Sequence, residues 1–388
     1  MNIKLRYTIL LIIFSFSIKK LSYADVVIMP DPPEIPASSY LLMDFHSGKI
    51  LNEENIHQKL PPASLTKMMT VYVVASELEK ETVSLFDEVT VSKNAYDTLG
   101  SRMFIEIGHK VKLEDLLLGV IIQSGNDASV ALAEHVSGSE EVFVSLMNQH
   151  AINLGMTNTQ FANSTGLPSE DLEHKTTAYD LAILARALIK EYPMIYDLHK
   201  IKEFTYGTDP PIKQYNRNKL LWRDKSVDGI KTGHTEEAGY CLVASAIRDD
   251  MRLISVVMGA SGENARAKAS QTNLNYGYRF YETHRLYGSS DIVTDIKVWK
   301  ANVDTIQLTV KDDFYITIPR GQYDKLESII EIDKKVVAPI TQGEQQGVLE
   351  IVLSDASVAR VPLLAKTAIS KGNIFNQLKD EIHLMLLD

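Results

Sequence analysis

Three short motifs carry the residue types of an acyl-transfer site, in order along the chain: Ser64-Leu65-Thr66-Lys67, Ser124-Gly125-Asn126 and Lys231-Thr232-Gly233. A serine hydroxyl is a weak nucleophile until a neighbouring base removes its proton. Ser64 and Lys67 are three residues apart, so on a helix their side chains share a face and can meet. Lysine is a base only when neutral. Its solution pKa of about 10.4 must fall, through burial and repulsion from a second cation, for which Lys231 is the natural candidate. Ser124 is placed to bridge the two lysines and pass a proton to the leaving amine, and the Asn126 amide to hold a peptide carbonyl of the substrate. Each motif alone is weak, since Ser17-Ile18-Lys19-Lys20 also fits the first and Ser92-Lys93-Asn94 the second. Their joint order, spacing and context discriminate.

The elements that must position these residues follow from local pattern. Pro61-Pro62-Ala63 punctuates the chain before Ser64, after which Met68, Val71, Val74, Ala75 and Leu78 recur at helical spacing. Ser64 therefore opens a helix, whose unpaired N–H groups and dipole favour negative charge on Oγ and on a nearby oxyanion. So apolar a helix suits a buried lysine. Further helices are expected over 113–122 and 127–136, with the second motif in the break between them, and near 179–188. Strands are expected over 40–44, 49–52, 229–233, 239–247 and 252–258, and a closing helix over 264–284. With Lys231-Thr232-Gly233 on an edge strand, a substrate backbone can add as an extra strand. Gly233 would leave room for its approach and the Lys231 charge would attract its carboxylate.

The chain has 388 residues, 45% of them hydrophobic and 23% charged, which suits a globular protein of two or three domains. Its net charge is −10, and the first 24 residues hold Lys4, Arg6, Lys19 and Lys20 with no acid, so the remainder carries −14. Nucleic acid is not a fitting partner for so acidic a body. The basic start, the apolar run 9–18 and Ser22-Tyr23-Ala24 as a small-x-small site predict a signal peptide at 1–24 and export. Cys241 is the sole cysteine, which excludes an intramolecular disulfide, and its apolar neighbours mark it as a small buried hydrophobe. No histidine pair has metal-ligand spacing, and no metal or cofactor is implied.

Three segments follow the leader: a catalytic domain over 25–287, a small all-β domain over 290–366, and a terminal helix over 371–388. The β-domain is marked by alternation at Ile306, Leu308 and Val310, at Phe314, Ile316 and Ile318, and at Leu349, Ile351 and Leu353. In the last segment Ile374, Phe375, Leu378, Ile382, Met385 and Leu386 share one helical face, which predicts docking on a membrane surface. The alternative is packing on the β-domain, because Asp380, Glu381 and Asp388 would be repelled by anionic lipid.

The longer context adds a resemblance. Ala63-Ser64-Leu65-Thr66-Lys67-Met68-Met69-Thr70, Gln123-Ser124-Gly125-Asn126-Asp127-Ala128, Asn216-Arg217-Asn218, Val227-Asp228-Gly229-Ile230-Lys231-Thr232-Gly233-His234-Thr235 and Ala238-Gly239-Tyr240 resemble the low-molecular-weight penicillin-binding proteins of the D-alanyl-D-alanine carboxypeptidase family, the S11 serine peptidases, over nearly the whole chain. The resemblance implies an α+β fold: a β-lactamase/transpeptidase-like domain with an antiparallel sheet packed against helices, then an all-β domain and an amphipathic C-terminal helix. It implies a periplasmic enzyme, peripherally attached to the inner membrane of a diderm bacterium, that removes the terminal D-alanine from peptidoglycan pentapeptide stems. Ser64 is then acylated, Lys67 is its base, and Ser124, Asn126 and Lys231 complete the site. Arg217 and Thr232 hold the terminal carboxylate, backbone N–H groups of Ser64 and His234 form the oxyanion hole, and β-lactam antibiotics acylate Ser64. Three alternatives stand beside this: a D,D-endopeptidase on peptidoglycan crosslinks, a β-lactamase, and a non-catalytic wall-binding protein. The β-lactamase is weakened by Gly125 in the second motif and by the absence of a Glu-x-x-x-Asn element within 155–187.

Overall fold

The structure is a computed structural model that describes residues 29–207, 210–332 and 335–387. The expected signal peptide at 1–24 lies outside the described residues.

The central element is a five-stranded antiparallel sheet of β1 (Ser39–Asp44), β2 (Ile50–Glu54), β3 (Val227–Thr235), β4 (Gly239–Arg248) and β5 (Met251–Ala260), in the order β2-β1-β5-β4-β3. β3, with Lys231, is an edge strand. Period-2 alternation sorts the side chains of β1 and β5 between two layers. Leu41, Met43, Ile254, Val256 and Met258 join the large helical core, whereas Tyr40 and Val257 pack with Ala269 of the helix Glu263–Phe280. β4 and β5 are joined by Asp249-Asp250, both at positive φ (47° and 65°), as a tight hairpin requires.

A single 3₁₀ turn, Ala63–Thr66, leads into α1 (Lys67–Glu79). Every α1 residue from Lys67 to Ser76 is buried, so this is a central helix enclosed on all sides, not one with a single apolar face. Around it stand α2 (Asn126–Ser137), α3 (Glu140–Asn153), which the sequence pattern did not single out, and α4 (Ala178–Glu191). The segment expected as one helix over 113–122 is Leu113–Leu118 followed by a π-helical turn, Gly119–Gln123, which ends at Ser124 in the left-handed region (φ 64°). The closing helix α5 (Glu263–Phe280) stops short of 284. Tyr281–Tyr287 is instead a strand, and it pairs with Phe314–Pro319.

A second antiparallel sheet, from Thr294–Lys297 to Ala356–Ala365, has its own core of Ile306, Leu308, Ile316, Ile318, Leu349, Ile351 and Leu363. The final helix, α6 (Ile374–Leu387), turns its charge inward: Asp380 Oδ2 accepts from Lys300 N at 2.6 Å and Glu381 pairs with Lys300 Nζ. Ile374, Phe375, Leu378, Ile382, Met385 and Leu386 are each more than half exposed. Packing on the β-domain therefore consumes Asp380 and Glu381 and leaves the apolar face outward.

Candidate active site

Ser64 is half-buried in the turn ahead of α1, and Lys67, in the first turn of that helix, is fully buried. Lys67 Nζ lies 3.1 Å from Ser64 Oγ, 2.6 Å from Asn126 Oδ1 and 2.6 Å from Thr165 O. The last two atoms are acceptors only. A neutral amine has two N–H donors and one lone pair; the donors go to Asn126 and Thr165, and the lone pair is left for the Ser64 O–H. Thr165 was not anticipated, because its contribution is a backbone carbonyl, which no side-chain pattern announces. Its loop is held in place: Asn163 Oδ1 accepts from Thr165 N, Thr165 Oγ1 and Gly166 N, and Glu140 Oε1 accepts from Ser164 N and Oγ. Gly166 (φ 87°) is required, since a Cβ there would sit 1.8 Å from Ala63 O.

Lys231 Nζ donates to Ser124 Oγ (2.9 Å) and Thr232 O (3.0 Å). Ser124 is thus bonded to Lys231 and does not bridge to Lys67, whose partners are already complete. Asn126 Oδ1 orients Lys67 and its Nδ2 donates one N–H to Leu99 O at 2.5 Å, while the amide lines the cleft with a second N–H that makes no other hydrogen bond among the described residues.

Burial pushes the Lys67 ammonium down to about 7, and the positive charge of Arg217 adds to the effect. Lys231 is held well below its usual range by burial first and then by the charges of Lys67, Arg217 and Arg266. Arg217 thus adds a cation to the pair that the sequence pointed to, since the repulsion between Lys67 and Lys231 is mutual. Two lysines so enclosed repel one another, and burial draws both toward the neutral form.

These groups open on a cleft of about 270 Å³. Ser64, Ser124 and Asn126 line one side; Thr232, Gly233 and His234 of β3 line the other, with Arg217 among the remaining walls. Lys67 and Lys231 lie beneath it. Arg217 is exposed, and among the described residues its guanidinium makes no hydrogen bond or ion pair, so its donors are available to an anion. His234 is exposed and stacks on Tyr240 with ring centroids 4.0 Å apart. At Gly233, which lines the cleft, a Cβ would come within 3.1 Å of Pro62 O and 3.2 Å of Leu65 N, so the Ser64 turn also approaches β3 closely there.

The sequence matches the family model of the D-alanyl-D-alanine carboxypeptidases over residues 26–262, and that of the penicillin-binding protein 5 C-terminal domain over 281–371. The chain belongs to the D-alanyl-D-alanine carboxypeptidase family. D-alanyl-D-alanine carboxypeptidase DacC of Escherichia coli is 41% identical over 358 residues, which is 90% of this chain and 88% of that protein. Penicillin-binding protein 5 of Haemophilus influenzae superposes with a TM-score of 0.85 at 38% identity, covering 88% of this chain and all of that one. Penicillin-binding protein D2 of Listeria monocytogenes, solved in its ampicillin-bound form, shares 27% identity at a TM-score of 0.59 over 64% of this chain and all of its own. Within the carboxypeptidase family, this chain keeps both the peptidase domain and the C-terminal domain.

Proposed function

We propose that the protein is a serine-type D-alanyl-D-alanine carboxypeptidase that removes the terminal D-alanine from peptidoglycan pentapeptide stems through an acyl-enzyme on Ser64. The observation that carries this is the Lys67 amine, buried and depressed to about 7, with its two donors spent on Asn126 and Thr165 and its lone pair toward Ser64. Ser64 Oγ attacks the carbonyl of the penultimate D-alanine while Lys67 takes its proton, and a C–O bond forms as the peptide C–N bond breaks. Ser124 gives its own hydroxyl proton to the departing amine and is reprotonated by Lys231, from which it accepts a hydrogen bond; water then cleaves the ester, passing one proton to Lys231 while Lys67 returns its proton to Ser64. Arg217 and Thr232 bind the terminal carboxylate, and the backbone N–H groups of Ser64 and His234 stabilise the oxyanion. The added C-terminal domain, in a chain aligned over 90% of its length with a carboxypeptidase, favours this reaction over endopeptidase cleavage.

β-Lactams, which present an acyl group and a carboxylate in similar array, acylate the same serine; the ampicillin-bound Listeria relative supports this. The chain is organised as a signal peptide (1–24), a peptidase domain (25–287), an all-β domain (290–366) and a helix (371–388) that rests on the inner membrane from the periplasmic side. The outward apolar face of α6 supports the last point. The test is D-alanine release from diacetyl-L-lysyl-D-alanyl-D-alanine by residues 25–388 and by Ser64→Ala. Release and labelling by a fluorescent penicillin are expected to vanish together in the variant; labelling that persists would place the nucleophile elsewhere.

A further inference from the structure

Arg266 is a buried arginine, 5% exposed, on α5, an element that carries none of the three motifs. Its Nη1 donates to Gly233 O at 2.9 Å, and its guanidinium lies 5.5 Å from the Tyr240 ring centroid, on a residue that also stacks with His234. The carbonyl of Gly233 and the N–H of His234 belong to one peptide unit. In a trans peptide these two groups point in opposite directions, so anchoring the oxygen fixes where the hydrogen points. A charge-assisted bond to the oxygen also polarises the unit and strengthens its N–H as a donor.

We propose that Arg266 is a positioning residue for the oxyanion hole: through Gly233 O it orients and polarises the His234 N–H. The inference rests on the proposed reaction, in which that N–H stabilises the oxyanion. Two features of the structure favour positioning over direct capture of the substrate carboxylate. Arg266 lines the cleft but already spends a donor on the backbone and is packed with Tyr240, whereas Arg217, exposed and without a hydrogen bond or ion pair among the described residues, is the better carboxylate ligand. Gly233 itself is locked between Arg266 and the Pro62–Leu65 turn, so an error in the peptide plane cannot be relaxed by moving the strand toward Ser64.

The experiment compares the full mature chain with Arg266→Gln and Arg266→Lys. It measures kcat and KM for D-alanine release, the rate of penicillin acylation, and the infrared stretch of the ester carbonyl in the penicilloyl-enzyme. Removing an oxyanion donor outright costs roughly 100- to 1000-fold in kcat, so loosening one through its peptide is expected to cost about 10- to 100-fold. KM should stay within about threefold, since uniform binding is untouched. The carbonyl stretch should move to higher wavenumber as the oxyanion hole weakens, and Arg266→Lys, which keeps charge and donor, should recover part of both effects. Unchanged kcat, or a KM increase with an unshifted carbonyl, overturns the positioning role. If Arg266→Gln does not fold, Arg266→Lys alone decides by the position of its carbonyl stretch. A wild-type chain that neither releases D-alanine nor takes up penicillin would instead defeat the underlying reaction, which keeps the two failures apart.

Discussion

At Lys67, three hydrogen-bond partners and full burial decide the chemistry. An ammonium there would suit the two acceptors but could take no proton from Ser64. For the proposed acylation the amine must be free, and with its pKa lowered to about 7 it is free above that pH and protonated below it. The acylation rate by a penicillin is expected to fall about tenfold per pH unit as the pH drops below about 7. A stopped-flow profile from pH 5 to 9 tests this, and a rate independent of pH below 7 would remove Lys67 as the base. Cys241, by contrast, does no chemistry. It is fully buried and its thiol is pushed up to about 11 by burial, so it stays protonated as a small apolar side chain.

The elements determine how closely the nucleophile and the edge strand can meet. Gly233→Ala keeps the β3 conformation but adds a Cβ at 3.1 to 3.2 Å from Pro62 and Leu65, so the strand and the Ser64 turn must separate by a few tenths of an ångström. Overpacking of this kind costs about 1–3 kcal/mol. The expected result is a lowered melting temperature and at least a tenfold slower acylation, with both measured on the same preparation; normal acylation would show that the fit is loose. The terminal helix makes a separate prediction. Deleting 372–388 should move the mature protein from membrane to soluble fraction with D-alanine release from a small peptide unchanged, because α6 touches no part of the cleft. Unaltered fractionation would favour packing on the β-domain as the role of α6.

Across the whole molecule, the peptidase and β-rich regions are joined by a buried polar knot. Asp44, fully buried at the end of β1, accepts from Ser47 N at 2.7 Å, Ser47 Oγ at 2.8 Å and Thr283 Oγ1 at 2.7 Å. Ser47 Oγ also meets Thr317 Oγ1 at 2.6 Å, and Lys49 Nζ donates to Thr317 O at 3.0 Å. The tip of the β1–β2 hairpin is thus bound to the strand pair Tyr281–Tyr287 and Phe314–Pro319, which packs into the core of the second sheet. Asp44→Ala orphans these donors and is expected to cost about 1–3 kcal/mol, visible by calorimetry, while D-alanine release at low temperature is retained. Loss of activity in a folded variant would instead tie this junction to the cleft.

What the sequence alone determined was the chemical identity of the site and the order of its parts. Ser64 and Lys67 meet because three residues of helix bring them together, and the apolar run around them foretold a buried lysine. The strands expected over 229–233, 239–247 and 252–258 are present, and Lys231 does lie on an edge. These are local relations, carried by backbone period and side-chain type. The tertiary structure decided what depends on distant segments. Thr165, 98 residues from Lys67, supplies a carbonyl to it, which spares Ser124 for Lys231. Asn126 is turned inward by Leu99 O, Arg217 is brought near enough to depress Lys67, and the Ser64 turn closes on Gly233. Backbone carbonyls and desolvation leave no mark in residue type, because every residue has the first and only the packed chain creates the second.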